Sequence, residues 1–171
     1  MSAMVLRPAS ADSGGAAASA ADKAAALAGL FTQSCLTYAG DPAGLRAWAA
    51  GKGLPPVPEQ ARKAFLLNAP GQVFDASDDE GKFVVVSSDD GICSAVTDVL
   101  TQAAAVPALE AALRANNIAF RLVIERDDKE IPEIHDREYL ATRDGRIWRI
   151  LLATVKGAAG GRAMMTGAVS P

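Results

Sequence analysis

The sequence predicts an α+β domain in which N-terminal helices pack on an antiparallel β-sheet. Apolar residues recur at helical spacing within residues 22–40. Further along, two pairs of strand-like runs are joined by Asp90-Gly91 and by Asp144-Gly145. Asp-Gly between two such runs is a strong hairpin signal, because glycine adopts the positive φ that a tight turn needs. The 171 residues suffice for one domain with a core and are too few to expect two.

Residues 1–21 are small, polar or flexible and show no apolar period. We therefore expect a flexible N-terminal tail at 1–21, followed by a single α+β domain at 22–171. The tail lacks the apolar run that a signal peptide contains. If the protein is exported, its signal peptide is not part of this sequence, and if Met1 is the native start, the expectation of export is weaker.

Three helices are predicted before the first strand, over residues 22–40, 41–53 and 58–67. The first has Asp22 as its N-cap and carries Cys35 on the apolar face that points to the core. The second begins with aspartate followed by proline, a pair typical of the first helical turn. Leu54–Pro58 must be an extended connector, because its three prolines lack amide hydrogens and restrict their neighbours.

The later part of the chain is predicted to be mainly strands. Gln72–Ala76 is a candidate edge strand, and the hairpin of Phe83–Ser88 and Ile92–Thr97 follows. Asp98 is expected to cap a helical turn ahead of a helix at Pro107–Asn116. Four further strands are expected at 118–126, 137–143, 146–155 and 162–169. This order contains the β-β-α-β-β-β core of profilin-like and PAS-like folds, a likeness that carries no function with it.

Composition argues against two classes of partner. The net charge of −3 gives no global attraction to nucleic acid. No apolar run approaches the roughly 20 residues that a membrane span needs. We therefore expect neither nucleic-acid binding nor a membrane span.

The two cysteines, Cys35 and Cys93, are the most informative feature of the composition. Neither belongs to a CxxC motif or to a metal-binding Cys/His spacing. They form either one structural disulfide in an exported protein or two buried thiols in a cytosolic one. The dependence of disulfides on an oxidising compartment favours the first alternative.

Three segments resemble small exported bacterial proteins of uncharacterised function: FTQSC at 31–35, GLRAWA at 44–49 and SSDDGICSAV at 87–96. The resemblance covers most of the chain after residue 27. It implies export and the disulfide, but it brings no reaction, ligand or cofactor with it.

An alternative function is an enzyme that uses Cys93 as its nucleophile and His135, the only histidine, as the base. A disulfide would remove this nucleophile. Neither a metal nor a cofactor is expected. The acidic segment 75–80 lacks the glycine and the final glutamate of a calcium loop, and the glycine-rich segment 157–161 leads into a strand rather than into a phosphate-binding helix.

Five side chains on the last strands are candidates for a binding surface: Arg143, Arg146, Trp148, Arg149 and Arg162. They would suit an anion or an acidic partner, although such arginines more often form the solvent-exposed side of a sheet that is buried on its other side. The groove beneath Leu54–Pro58 is the second candidate. The run Trp148–Ala153 is apolar on both sides, which indicates that part of the sheet is covered twice or meets a partner.

These observations favour a non-catalytic, disulfide-stabilised periplasmic or secreted protein that binds a protein partner or a small ligand. The alternatives are the enzyme with Cys93 and His135 and a sensory ligand-binding module. For the oligomeric state, the sequence leaves a homodimer open.

Overall fold

The computed structural model describes residues 18–171, and every statement about the structure refers to these residues. The helices are α1 (Ala20–Phe31), α2 (Pro42–Gly51), α3 (Glu59–Leu66) and α4 (Gln102–Ala115). The strands are β1 (Gly71–Asp75), β2 (Phe83–Ser88), β3 (Cys93–Leu100), β4 (Ala119–Asp127), β5 (Ile134–Arg143), β6 (Arg146–Val155) and β7 (Gly161–Val169). They form one seven-stranded antiparallel sheet, so the α+β prediction is confirmed.

The sheet is built from two meanders, and its strand order is β1-β2-β3-β7-β6-β5-β4. The chain runs through β1, β2 and β3, and α4 then connects to the far edge. From there, β4 to β7 return strand by strand until β7 pairs with β3. At this junction Ala95 lies opposite Met165 and Val96 lies opposite Met164. β3 is therefore the strand at which the two meanders meet.

One face of the sheet is covered by α1, α4 and a short π-helical segment, Thr32–Leu36. The core lies between this layer and the sheet. Its largest fully buried side chains come from both layers and include Phe31, Leu27, Leu109, Tyr139, Trp148 and Ile150. Burying each of the aliphatic or phenylalanine side chains contributes about 1.5–3 kcal/mol.

The first helix begins at Ala20, two residues earlier than predicted. Ser19 is its N-cap, because the Ser19 hydroxyl accepts a hydrogen bond of 3.1 Å from the Asp22 amide. The Asp22 carboxylate accepts one of 3.2 Å from the Ser19 amide in return, which completes a capping box. The prediction of Asp22 as the N-cap is thus wrong by three positions. The rest of the predicted tail, up to residue 17, lies outside the described residues.

α4, the helix between the two meanders, also starts earlier than the predicted start at Pro107. Thr101 caps α4 by accepting from the Ala104 amide, and Pro107 lies inside the helix. Asp98 belongs to β3, where it pairs with Lys23 of α1, so the prediction that it caps a turn is wrong. The misleading signal was Pro107, since proline is usually found in the first turn of a helix.

The π-helical segment brings the first cysteine to the sheet. Cys35 lies within it and forms a disulfide with Cys93, the first residue of β3, as predicted. The two Cα atoms are 5.0 Å apart, and the residues are 0% and 1% exposed. This bond therefore lies inside the core, between the helix layer and the central strand.

Two glycines allow a second close contact at the same place. We call α1 together with the π-helical segment after it the first helical unit. The Gly40 amide donates to the Gly91 carbonyl over 3.0 Å, which connects the end of this unit to the β2–β3 turn. Both residues have positive φ, 81° and 89°. A Cβ on Gly91 would lie 3.0 Å from the Gly40 Cα atom, so a side chain would push the hairpin away from the helix.

The disulfide closes a loop with a sequence separation of 58 residues. Replacing both cysteines (Cys35→Ala and Cys93→Ala) is expected to lower the free energy of unfolding by about 4 kcal/mol, because the unfolded chain regains the entropy of the open loop. Guanidinium chloride unfolding of both proteins measures this difference.

A reductant should lower the unfolding midpoint of the wild type and leave that of the double variant unchanged. Protein isolated from its own cells without reductant should show no free thiol after denaturation. Two free thiols in the protein isolated from its own cells, or equal unfolding midpoints for the wild type and the double variant, would contradict the structural role of this bond.

Candidate functional site

The second face of the sheet is covered only at its β1–β3 end. The connector pairs with the outer edge of β1, since the Val57 amide donates to the Val73 carbonyl over 3.0 Å and the Asp75 amide donates to the Pro55 carbonyl over 2.8 Å. It is extended, as its prolines predict. α3 follows and packs Leu66 against the same end of the sheet. The described helices leave the rest of this face open.

A groove of about 340 Å³ lies where α3 ends and the open part of this face begins. We call it the α3 groove. Its lining comes from α3 and from five strands, and its apolar side chains include Phe65, Val86, Val96, Ile134, Ala153 and Met164. Ser94, also in the lining, shares a hydrogen bond of 2.7 Å with Thr166. The lining contains no carboxylate.

Arg162 lies at the end of this groove with its guanidinium carbon 5.4 Å from the centre of the Phe65 ring. Both residues also line a second hollow of about 240 Å³ beneath the connector, where Val57 contributes to the wall. The groove expected beneath Leu54–Pro58 therefore has a counterpart in the structure. The stacked pair of Arg162 and Phe65 separates the two cavities.

The second hollow has charges of both signs in its lining, from Asp75, Asp98, Lys82 and Arg162. A hydrogen bond from Lys23 lowers the pKa of Asp98, and hydrogen bonding from Ser77 lowers the pKa of Asp75. Both carboxylates are therefore ionised at neutral pH. Acidic and basic side chains are thus balanced in this hollow, whereas Arg162 is the one charged side chain in the lining of the α3 groove.

The five residues predicted as one binding surface do not lie together. Trp148 is 1% exposed and packs in the core beneath the helices. Arg146 stacks over Trp148 and donates to the carbonyls of Thr37 and Ala39. Arg146 thereby supplies hydrogen-bond donors to backbone carbonyls at the end of the first helical unit, where such groups lack helical partners.

The other three arginines have separate environments. Arg143 donates to the carbonyl of Asn116 at the end of α4, over 3.0 Å. Arg149 lies on the opposite side of the sheet from Trp148 and pairs with Glu138 at 3.8 Å. Arg162 is the member of the predicted set that lines the α3 groove. The structure therefore does not bring Trp148 and the arginines onto one face, and Arg149 points away from Trp148, as strand alternation predicts.

No sequence pattern pointed to the side chains that form the walls and floor of the groove. Phe65 was placed in a short helix without a role, and Ile134 was assigned to a charged loop. Besides Arg162, the sequence signal for this site was the run Trp148–Ala153, apolar on both sides. Its outward member Ala153 lines the groove, while Trp148 faces the core.

His135 belongs to a charged cluster at the β4–β5 edge. Its Nδ1 atom lies 3.0 Å from Asp127 and its Nε2 atom lies 3.2 Å from Glu125. Lys156 also bonds Asp127, and Arg137 also bonds Glu125. Both imidazole nitrogens are thus occupied by carboxylates of the neighbouring strand.

In this arrangement Cys93 and His135 do not form a nucleophile–base pair. Cys93 has no thiol, because it is bonded to Cys35. The partners of His135 are carboxylates on β4, and the disulfide lies beneath the helix layer. Among residues 18–171, no group of three or more His, Cys, Asp or Glu side chains is arranged to hold a metal ion.

Comparisons with family models, with curated proteins and with solved structures find no match to this chain. The resemblance to small exported bacterial proteins therefore stays a prediction. No helix in the described part of the chain combines the length and the hydropathy that crossing a bilayer requires.

The charged cluster predicts a specific pH dependence. The hydrogen bond to Asp127, supported by Glu125, raises the pKa of His135 above its ordinary value of 6.5. A raised pKa in the folded state adds stability that is complete below pH 6.5 and is lost as the pH rises through the folded value. The free energy of unfolding should therefore fall with rising pH in this window, and His135→Gln should remove that component.

Chemical denaturation of both proteins between pH 5.5 and 8.5 measures the effect. Because the chain has one histidine, the imidazole proton resonance reports its pKa without ambiguity. Asp127→Asn should move this pKa back towards 6.5, since it removes the larger cause of the shift. An imidazole that titrates at or below 6.5 in the wild type would contradict the cluster.

Proposed function

We propose that this protein is an exported, non-catalytic binding protein that holds a small ligand in the α3 groove. The observation that carries the proposal is the groove itself, an apolar cavity on the sheet face that the described helices leave open. Ligand cavities in proteins are mostly apolar, hold a few polar groups and occupy roughly 300–1,000 Å³. The α3 groove, at about 340 Å³, lies at the lower end of this range.

The groove has a preformed floor. Its strands come from both meanders, with Val96 on β3, Met164 on β7 and Ala153 on β6. These strands are paired over their length and are held from behind by the core and the disulfide. A floor of this kind binds without a large ordering cost, which favours affinity.

The wall of the groove is held less tightly than the floor. α3 has eight residues, and its end is fixed by Leu66 and by Arg62, whose guanidinium donates to the Gly71 carbonyl over 3.2 Å. Leu67 follows in the left-handed conformation with φ of 50° and is 85% exposed at the rim. An apolar side chain that is exposed at the rim is suited to closing over an apolar ligand, because its surface becomes buried there.

Export is supported by the disulfide and by the resemblance described above. Structural disulfides persist in oxidising compartments and are rare in the cytosol. A buried disulfide between the helix layer and the central strand suits such a compartment, where the bond is retained. A sensory ligand-binding module, the second functional alternative, would use the same groove.

The binding proposal is tested by filling the groove. Ala153 is half-buried in its floor, so Ala153→Trp should occupy the space of the ligand. Titration with octan-1-ol, followed by amide shifts in ¹H–¹⁵N spectra, should perturb the amides of Ser94, Ala153 and Met164 in the wild type. The variant should bind the alcohol at least about tenfold more weakly, since the contact area is lost.

Ala168→Trp is the matched control. Ala168 lies on the same sheet face and is half-buried like Ala153, but it lines a different, shallow hollow beside Arg149. This variant should bind octan-1-ol like the wild type. Equal binding by Ala153→Trp and the wild type, or shifts confined to residues outside the groove, would contradict the proposed site.

A further inference from the structure

We propose that the ligand of the α3 groove is an amphipathic carboxylate, with its alkyl chain on the groove floor and its carboxylate on Arg162. This inference rests on the proposed function and specifies the chemical class of the ligand. Four features of the described residues support it: the unpaired guanidinium, its contact with Phe65, the absence of acids from the groove lining and the apolar floor.

Arg162 differs from most arginines in the described chain. The guanidinium groups of seven others contact a carboxylate or a backbone carbonyl; these are Arg46, Arg62, Arg114, Arg137, Arg143, Arg146 and Arg149. Arg121, Arg126 and Arg162 have no such partner within residues 18–171. Of these three, Arg162 lines the groove. Its charge is therefore available to a ligand at the site where an apolar chain would lie.

Phe65 holds this guanidinium in place. The stacking distance of 5.4 Å is within the range of a cation–π contact. This contact gives the guanidinium N–H groups no oxygen acceptor, so they stay free to donate to a ligand. The planar fork of arginine matches the two oxygens of a carboxylate, so a bidentate pair can form without displacing Phe65.

The residues that line the two cavities set the orientation of the ligand. The second hollow holds charges of both signs, from Asp75, Asp98 and Lys82, and Asp98 is already paired with Lys23. The α3 groove contains no carboxylate, and Arg162 is the one charged side chain in its lining. A carboxylate on Arg162 therefore leaves the attached chain to extend over the apolar part of the groove.

The floor of the groove suits an alkyl chain rather than a polar one. Val96, Met164 and Ala153 present hydrocarbon and thioether surface. The hydroxyls of Ser94 and Thr166 share one hydrogen bond of 2.7 Å, in which one of them donates to the other. A polar ligand segment placed on Val96, Met164 and Ala153 would lose its hydrogen bonds to water without replacement, which disfavours it.

The test compares three ligands with the same eight-carbon chain: octanoate, octan-1-ol and octyltrimethylammonium. Isothermal titration calorimetry at low ionic strength measures their affinities for the wild type, Arg162→Gln and Arg149→Gln. We expect octanoate to bind the wild type about tenfold more tightly than the alcohol, the gain from a charge-assisted pair, and the ammonium to bind most weakly.

Arg162→Gln should remove the preference for octanoate and leave the affinity for octan-1-ol unchanged. Arg149→Gln is the matched control, because Arg149 is an exposed arginine on the same sheet face that does not line the groove. It should bind all three ligands like the wild type.

The outcomes separate the two proposals. If octan-1-ol binds in the groove and octanoate binds no more tightly than the alcohol, the carboxylate inference is wrong and the proposal of a ligand site in the groove stands. Equal losses for acid and alcohol in Arg162→Gln would show that Arg162 only supports Phe65, which also overturns the inference. If none of the three ligands binds in the groove of the wild type, both proposals are wrong.

Discussion

The bond between Cys35 and Cys93 joins the helix layer to the strand at which both halves of the sheet meet. β3 pairs with β2 on one side and with β7 on the other, so a constraint on Cys93 acts on both meanders. The contact between Gly40 and Gly91 attaches the same helical unit to the adjacent turn. Together these links determine which face of the sheet the helices cover, and therefore which face stays open.

The uneven covering of the sheet connects the fold to the proposed function. Strand β6 carries apolar residues on both sides, but α1 and α4 bury one side only. On the other side α3 covers the first strands and ends at Leu67, beside half-buried apolar residues of the later strands. The edge of this partial cover is the α3 groove, and Arg162 is the charged side chain at that edge.

Local signals in the sequence predicted much of the fold, and long-range packing explains the failures. Asp-Gly turns, the extended prolines and Cys35 on an apolar helical face were recognised, because each depends on residues close in the chain. The role of Arg146 was missed, because its carbonyl partners lie more than 100 residues earlier. The groove was missed for the same reason: Phe65 and Arg162 meet only when β7 pairs with β3.

The central claim is that the sheet face left open by this framework binds the alkyl chain of a small amphipathic ligand. Intermolecular nuclear Overhauser effects between octanoate and methyl-labelled protein test it most directly. We expect cross-peaks from the ligand methylene protons to the methyl groups of Met164, Val96 and Ile134, all in the lining of the groove. Cross-peaks confined to Ile92, Val99 and Ile147, which are exposed apolar residues outside it, would contradict the account.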